Sequence, residues 1–283
     1  MSININWYPG HMAKTKRLIA EKYDLIDIVY EVIDARIPKS SKIEDLDELI
    51  KDKPRIIVMT KKDLCDLSET NKWIKYYEEK GYKVLLCDLS ANNALNDLVN
   101  ITHEITKEIQ EKREAKGLAK KDIRALVVGI PNVGKSTLIN RMAGRKIANV
   151  GNNPGVTKNL SWLKTNSDIL LLDSPGILWP KIESEEVALN LSAMSAIKEE
   201  ILPIDRVAVH ILNKYNTYYK DILKQYYNMD ELDEDIVESY NIIGKKIGAY
   251  RNGEADFRRV SQFILNDIKS EKIKNITFDR KDD

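Results

Sequence analysis

Short apolar runs, each closed by polar or Gly/Pro punctuation, recur through the first two-thirds of the chain: Ile28–Ile33, Arg55–Met59, Lys83–Cys87, Arg124–Gly129 and Ile169–Leu172. Runs of this length between turn residues predict buried strands. Segments with helical spacing intervene. Ser68–Lys80 is one; Leu95–Arg113 is another, repeating Leu98, Ile101, Ile105 and Ile109. Strands alternating with helices predict a mainly parallel sheet covered on both faces. Ligands in such sheets bind at the carboxyl ends of the strands.

After Trp179 the strand pattern fades. Val187, Leu191, Met194, Ile197 and Ile201 share one helical face. So do Val207, Ile211, Tyr215, Tyr218 and Ile222; then Ile236, Tyr240, Ile243 and Ile247; then Phe257, Val260, Ile264 and Ile268. Four amphipathic helices predict a smaller, all-helical C-terminal domain. The expected fold class is therefore α/β over residues 1–179, with a helical domain over 180–283.

Composition narrows the class. The chain has 283 residues, 43% hydrophobic and 31% charged, as in globular proteins of one or two domains. A net charge of +1 provides no global field for nucleic acid, so any basic surface is local. Cys65 and Cys87 sit beside apolar runs without metal-ligand spacing, which predicts reduced, near-core thiols. No leader pattern is present, and no apolar run approaches the ~20 residues that span a bilayer. The expectation is a soluble cytoplasmic protein with no membrane partner.

The chemistry begins at "GIPNVGKSTL", Gly129–Leu138. Gly129, Gly134, Lys135 and Ser136 satisfy the G-x-x-x-x-G-K-[ST] spacing between a strand and a helix (Thr137–Met142). In such a loop the backbone from Asn132 and Val133 through Thr137 cradles phosphates. The lysine reaches β and γ oxygens, and the serine ligates Mg²⁺. Downstream, "DSPG" (Asp173–Gly176) ends a strand. Asp173 fits a Mg²⁺-holding carboxylate, and the Gly176 N–H fits a γ-phosphate contact. Between them, "NNPGVTK" (Asn152–Lys158) offers Thr157 as a switch threonine that ligates Mg²⁺ in the triphosphate state. Lys135, Thr157 and Gly176 are thus the expected groups around the reacting phosphate.

The loop binds any nucleoside triphosphate, so a base reader is needed. Guanine presents N1–H and N2–H₂, and a carboxylate accepts both. "NKYN" (Asn213–Asn216) ends in an amide and lies inside the Val207–Ile222 helical pattern. "TKKD" (Thr60–Asp63) directly follows a strand. Asp63 supplies the carboxylate, and the Lys61 stem can lie along the base. The next strand runs into "LSA" (Leu89–Ala91), where Ser90 and Ala91 can present a backbone N–H to guanine O6. The order is then base reader, phosphate loop, switches. The helix Leu95–Arg113 and the basic stretch Lys116–Asp122 join what are the two ends of an ordinary GTPase domain. This is circular permutation, tolerated where termini lie close together.

With "WYPGHMAK" (Trp7–Lys14), "DARIP" (Asp34–Pro38), "TKKDL", "LSA", "GIPNVGKSTLIN", "NNPGVTK" and "DSPGI" in this order, the chain resembles the circularly permuted GTPases, and among them the bacterial factors of large-subunit assembly. "GEADFRRVSQFILNDI" resembles the last helix of that family. Thr60 departs from the pattern, since the family usually opens this motif with Asn. The resemblance implies GTP/GDP and Mg²⁺ as ligands. It implies catalytic help from His11, and K⁺ beside Asn132 as a fixed charge near the phosphates. Slow unassisted hydrolysis is expected because Ile177 stands where many GTPases place a water-orienting Gln. The implied partners are the immature large ribosomal subunit, its rRNA and ribosomal proteins. "HMAKTKR" (His11–Arg17), Arg251, Arg258 and Arg259 are the candidate RNA contacts. Asp34 and Arg36 are expected only to pair. Two alternatives stay open: a nucleotide-gated RNA-binding module with incidental hydrolysis, and a small-subunit assembly GTPase. Non-clustered cysteines and a helical tail weigh against the latter.

Overall fold

A computed structural model of the chain describes residues 5–6, 10–44, 46–91, 94–148, 162–174, 181–182 and 184–281; for 5–6, 10–15, 181 and 199 it describes the backbone alone. In chain order the elements are β1 (Ile5–Asn6), α1 (Gly10–Glu21), β2 (Ile28–Asp34), α2 (Leu46–Ile50), β3 (Arg55–Thr60), α3 (Leu67–Glu79), β4 (Lys83–Leu86), α4 (Ala94–Glu114), β5 (Ile123–Val128), α5 (Lys135–Ala143), β6 (Trp162–Lys164), β7 (Ile169–Asp173) and β8 (Lys181–Ile182). There follow α6 (Glu185–Ala193), α7 (Ile204–Tyr218), α8 (Lys220–Ile222), α9 (Ile236–Lys246), β9 (Tyr250–Arg251), β10 (Glu254–Ala255) and α10 (Phe257–Lys269).

Six strands form one sheet in the order β4-β3-β2-β5-β7-β6. All pairings are parallel except β6 with β7. Every residue of β2 and β3 is buried, as expected of mostly apolar strands when both faces of a parallel sheet are covered. Register aligns the strand exits on one rim. Asp34 pairs with Thr60, Met59 with Leu86, and Val127 with Asp173. β5, the strand that leads into the phosphate loop, comes fourth in this sheet by sequence. Even so, it lies between β2 and β7. Cys65 and Cys87 are buried free thiols; burial pushes both up, Cys87 to about 12.

The main apolar core is continuous from the sheet (Ile28, Val32, Val127) into the helices (Ile211, Tyr215, Ile264) and on to Phe278. Two helical expectations are corrected. Val187–Ile201 is not one helix, because α6 stops at Ala193 and a 3₁₀ turn spans Glu199–Ile201. Ser195 takes a left-handed conformation at φ 58°, and Ala196 N–H donates to the Leu191 carbonyl, a closure like the left-handed caps that end helices. Val207–Ile222 breaks at Tyr219, with φ −141° between α7 and α8. The Tyr219 hydroxyl accepts from Thr277 N at 2.8 Å.

That bond belongs to a tail that returns to the sheet. Ile276 N–H donates to Leu64 O at 3.1 Å, and Phe278 N–H to Arg36 O at 2.7 Å. Buried Asp279 accepts from Ser40 N and Ser40 Oγ, both at 2.6 Å, and from Asn190 Nδ2 at 2.9 Å. Lys281 N–H reaches Glu69 Oε1 at 2.7 Å. Residues 276–281 therefore fasten the β2 and β3 exit loops to α6 and α7.

Candidate functional site

The strand–loop–helix β5–α5 carries the phosphate loop. Gly129 is obligatory, since a Cβ there would lie 2.4 Å from the Val32 carbonyl oxygen. Gly134 caps α5 at φ 98°, a left-handed backbone that glycine adopts without strain. The loop they shape ends at the N-terminus of α5, where the partial positive charge favours anions. Lys135 is buried, and its Nζ donates to Ile130 O at 2.7 Å. Burial pushes its ammonium down to about 8, against the attraction of Asp173.

A cavity of about 290 Å³ opens on this loop, lined by Asn132, Gly134, Lys135, Ser136 and Thr137. Arg36 and Lys61 complete the sheet side; Ala193–Ser195 and Ile268, Lys269 and Glu271 form the helical side. Asn132, at φ 63°, sends its Nδ2 to Ser195 O at 2.5 Å. This ties the loop to the end of α6.

The β3 and β4 exit loops flank the phosphate loop. Thr60 is buried, and its Oγ1 donates to Val133 O at 2.6 Å. The residue that departs from the family pattern thus buttresses the loop backbone. Lys61 stands at φ 61° and pairs with Asp34 Oδ2 at 3.0 Å. Lys62 N–H donates to Cys87 O at 3.3 Å, joining the "TKKD" and "LSA" turns. Arg141 of α5 reaches the Ser90 and Ala91 carbonyls at 3.2 and 3.1 Å. The Leu89 side chain lies 3.3 Å from where a Gly134 Cβ would sit. Asp63 is exposed on the turn after β3 and is not part of the cavity lining.

Asp173 ends β7, nearly buried. With Ser136 it offers one carboxylate and one hydroxyl, a donor pair suited to Mg²⁺, which takes its remaining ligands from phosphate and water. Thr157, Gly176 and Ile177 lie outside the described residues. His11 falls in α1, with only its backbone described. "NKYN" is helical within α7. Sequence reasoning missed the cavity face of Arg36, which is buried against Asp34. It also missed Ala193–Ser195 as a wall of the phosphate loop. The "DARIP" motif was a signal for the first; nothing in the sequence marks the second.

A glycine-shaped phosphate loop in a sheet entered at β2 and flanked by paired base-side turns defines a P-loop nucleotide-binding protein of permuted GTPase type. A family model described as a 50S ribosome-binding GTPase matches residues 124–242. A ribosome biogenesis GTPase A of Priestia megaterium is 45% identical over 279 residues, spanning 98% of this chain and 97% of its own. That of Bacillus cereus is 43% identical over 276 residues, spanning 97% and 93%. The solved GNP-bound YlqF of T. maritima shares the fold at a TM-score of 0.64 and 23% identity, covering 94% of this chain and 98% of that one. The chain belongs to the ribosome biogenesis GTPase A family.

Proposed function

We propose that this protein hydrolyses GTP to drive a step in assembly of the large ribosomal subunit. GTPase activity and a role in ribosome assembly follow from family membership. The observation that carries the guanine-nucleotide reading is the Thr60 Oγ1–Val133 O bond. It welds the base-side turn to the phosphate loop, so one ligand can engage both. The YlqF relative was solved with GNP bound.

In this reading, Asp63 accepts guanine N1–H and N2–H₂, and the Ser90–Ala91 backbone meets O6. The phosphate loop from Asn132 to Thr137 holds the phosphate chain, with Lys135 on β and γ oxygens. Bound Mg²⁺ neutralises charge on those oxygens; Ser136, Thr157 and Asp173 hold it. The Gly176 N–H supports the γ-phosphate, and His11 aids attack by water. The Asn132–Ser195 bond uses the amide nitrogen, leaving the opposite end of the group suited to K⁺. Residues 1–179 form the nucleotide domain and 180–283 the particle-binding domain. The partners are the immature large subunit with its rRNA and ribosomal proteins, in the cytoplasm. No helix among the described residues is long and apolar enough to cross a membrane.

Co-sedimentation tests the proposal. The protein should pellet with immature large-subunit particles in a non-hydrolysable GTP analogue and stay in the supernatant with GDP. Equal distribution in both nucleotides would remove the switch. Asp63→Asn should shift preference from guanine to xanthine nucleotides, by about 10²-fold or more; unaltered base choice would move the reader elsewhere.

A further inference from the structure

Arg36 follows the exit of β2. Its backbone N–H and its Nε donate to Asp34 Oδ1, both at 3.0 Å, and its Nη2 to Oδ2 at 2.8 Å. Among the described residues the remaining nitrogen, Nη1, has no hydrogen-bond partner although it is buried. Arg36 is only 3% exposed, and it lines the same cavity as Asn132 and Lys135. A buried guanidinium N–H without an acceptor is costly, and such groups in native proteins call for an explanation.

The charge count points the same way. Asp34 is shared between Arg36 and Lys61 Nζ. These two cations hold its carboxyl well below the usual range despite burial. One negative charge between two positive ones leaves this wall with a surplus positive charge, beside Lys135. Glu271 also lines the cavity and attracts Arg36, but it gives Nη1 no hydrogen bond. The planar fork spends one edge on a carboxylate and keeps the other for a second oxyanion.

We propose that Arg36 is a phosphate-contacting residue supplied in cis, whose Nη1 donates to a phosphate oxygen of the bound guanine nucleotide. Asp34 is its positioning residue: it fixes the guanidinium plane before the ligand arrives, so little side-chain freedom is lost on binding. Lys61 in turn holds Asp34. The charge that other phosphoryl-transfer proteins receive from a partner's arginine is here part of the β2 exit. This inference rests on the nucleotide site described above.

The test compares Arg36→Lys with wild type in competition titrations of GDP and of guanosine. Arg36→Lys keeps the charge beside Asp34 but loses the fork. GDP affinity should fall about 10- to 100-fold, the scale of a charge-assisted hydrogen bond, while guanosine affinity stays within about twofold. Unchanged GDP affinity, or an equal loss for guanosine, would overturn the proposal. Lys135→Ala is the control: if it still binds GDP tightly, the nucleotide site itself is misplaced, independently of Arg36. Should Arg36→Lys lack a cooperative melt, wild-type protein with ¹⁵N-labelled arginine provides the second measurement. The Arg36 guanidinium resonances should shift with GDP and not with guanosine; no shift with GDP would overturn the assignment.

Discussion

Lys135 is held in a conflict that a ligand resolves. Its ammonium is buried against the Ile130 carbonyl, and burial pushes it down to about 8. Anionic phosphates favour the charged form and raise that value. Binding above pH 8 therefore requires proton uptake. Nucleotide affinity should fall as pH climbs from 7.5 to 9, and calorimetry in buffers of different ionisation enthalpy should register net uptake. A flat profile with no uptake would contradict the buried-lysine account. Thr60 offers a second test. Thr60→Val removes the donor to Val133 O and should cost about 1–2 kcal/mol by urea unfolding. It should also weaken GDP several-fold, with Thr60→Ser restoring both. At this scale the sequence singled out Lys135 and Ser136 because phosphate geometry dictates the spacing of such a loop, and Asp173 because it closes a strand. It did not reveal what Arg36 or Asn132 touch. A motif fixes residue types along the chain, while Ser195 and Glu271 reach the site from elements far along the sequence.

β2, β3, β4, β5 and β7 were legible almost to their ends, since the central ones are buried and mostly apolar, while the short β6 and the two-residue strands were not. Helix ends were less so. α6 stops with Ser195 in a conformation usually left to glycine, and no Gly or Pro marks the place. Its apolar spacing survives because the turn beyond Ala193 keeps Met194 and Ile197 in the core. The packing of α6 on α7 leads to a pH prediction. His210 of α7 bonds Asn190 Oδ1 of α6 at 2.8 Å. Burial, with Lys214 nearby, pushes its imidazole down to about 4 from 6.5. Between those values the unfolded chain takes up a proton that the folded one refuses, so stability is lost as pH falls from 6.5 toward 4. Gln keeps a donor in this position without titrating. His210→Gln should lose about 1–3 kcal/mol less than wild type on acidification from pH 7 to 4.5, as read from urea midpoints at both pH values.

For the molecule as a whole, the decisive contacts are those between segments most distant in sequence. Ile276, Phe278 and Asp279 gave no periodic signal, because an extended segment seated by single residues has no repeat. Yet Phe278 is fully buried, and Asp279 unites Ser40 with Asn190. Phe278→Ala should cost about 3–5 kcal/mol. Asp279→Ala takes the acceptor from Ser40 N–H and Ser40 Oγ, while Asn190 Nδ2 keeps Ser40 Oγ at 3.1 Å, and should cost about 2–4 kcal/mol. If the tail also steadies the loops bearing Arg36 and Asp63, both variants should weaken GDP under conditions where they remain folded. Unfolding midpoints and GDP titrations at low denaturant check this, and stability loss with unaltered GDP affinity would confine the tail to a structural role.

Translation meets these pieces in an awkward order. A ribosome delivers β2, β3 and the phosphate loop long before residues 276–281 that hold the first of them to the helices. A nascent chain of this protein thus carries the loops around the cavity through synthesis without their clasp.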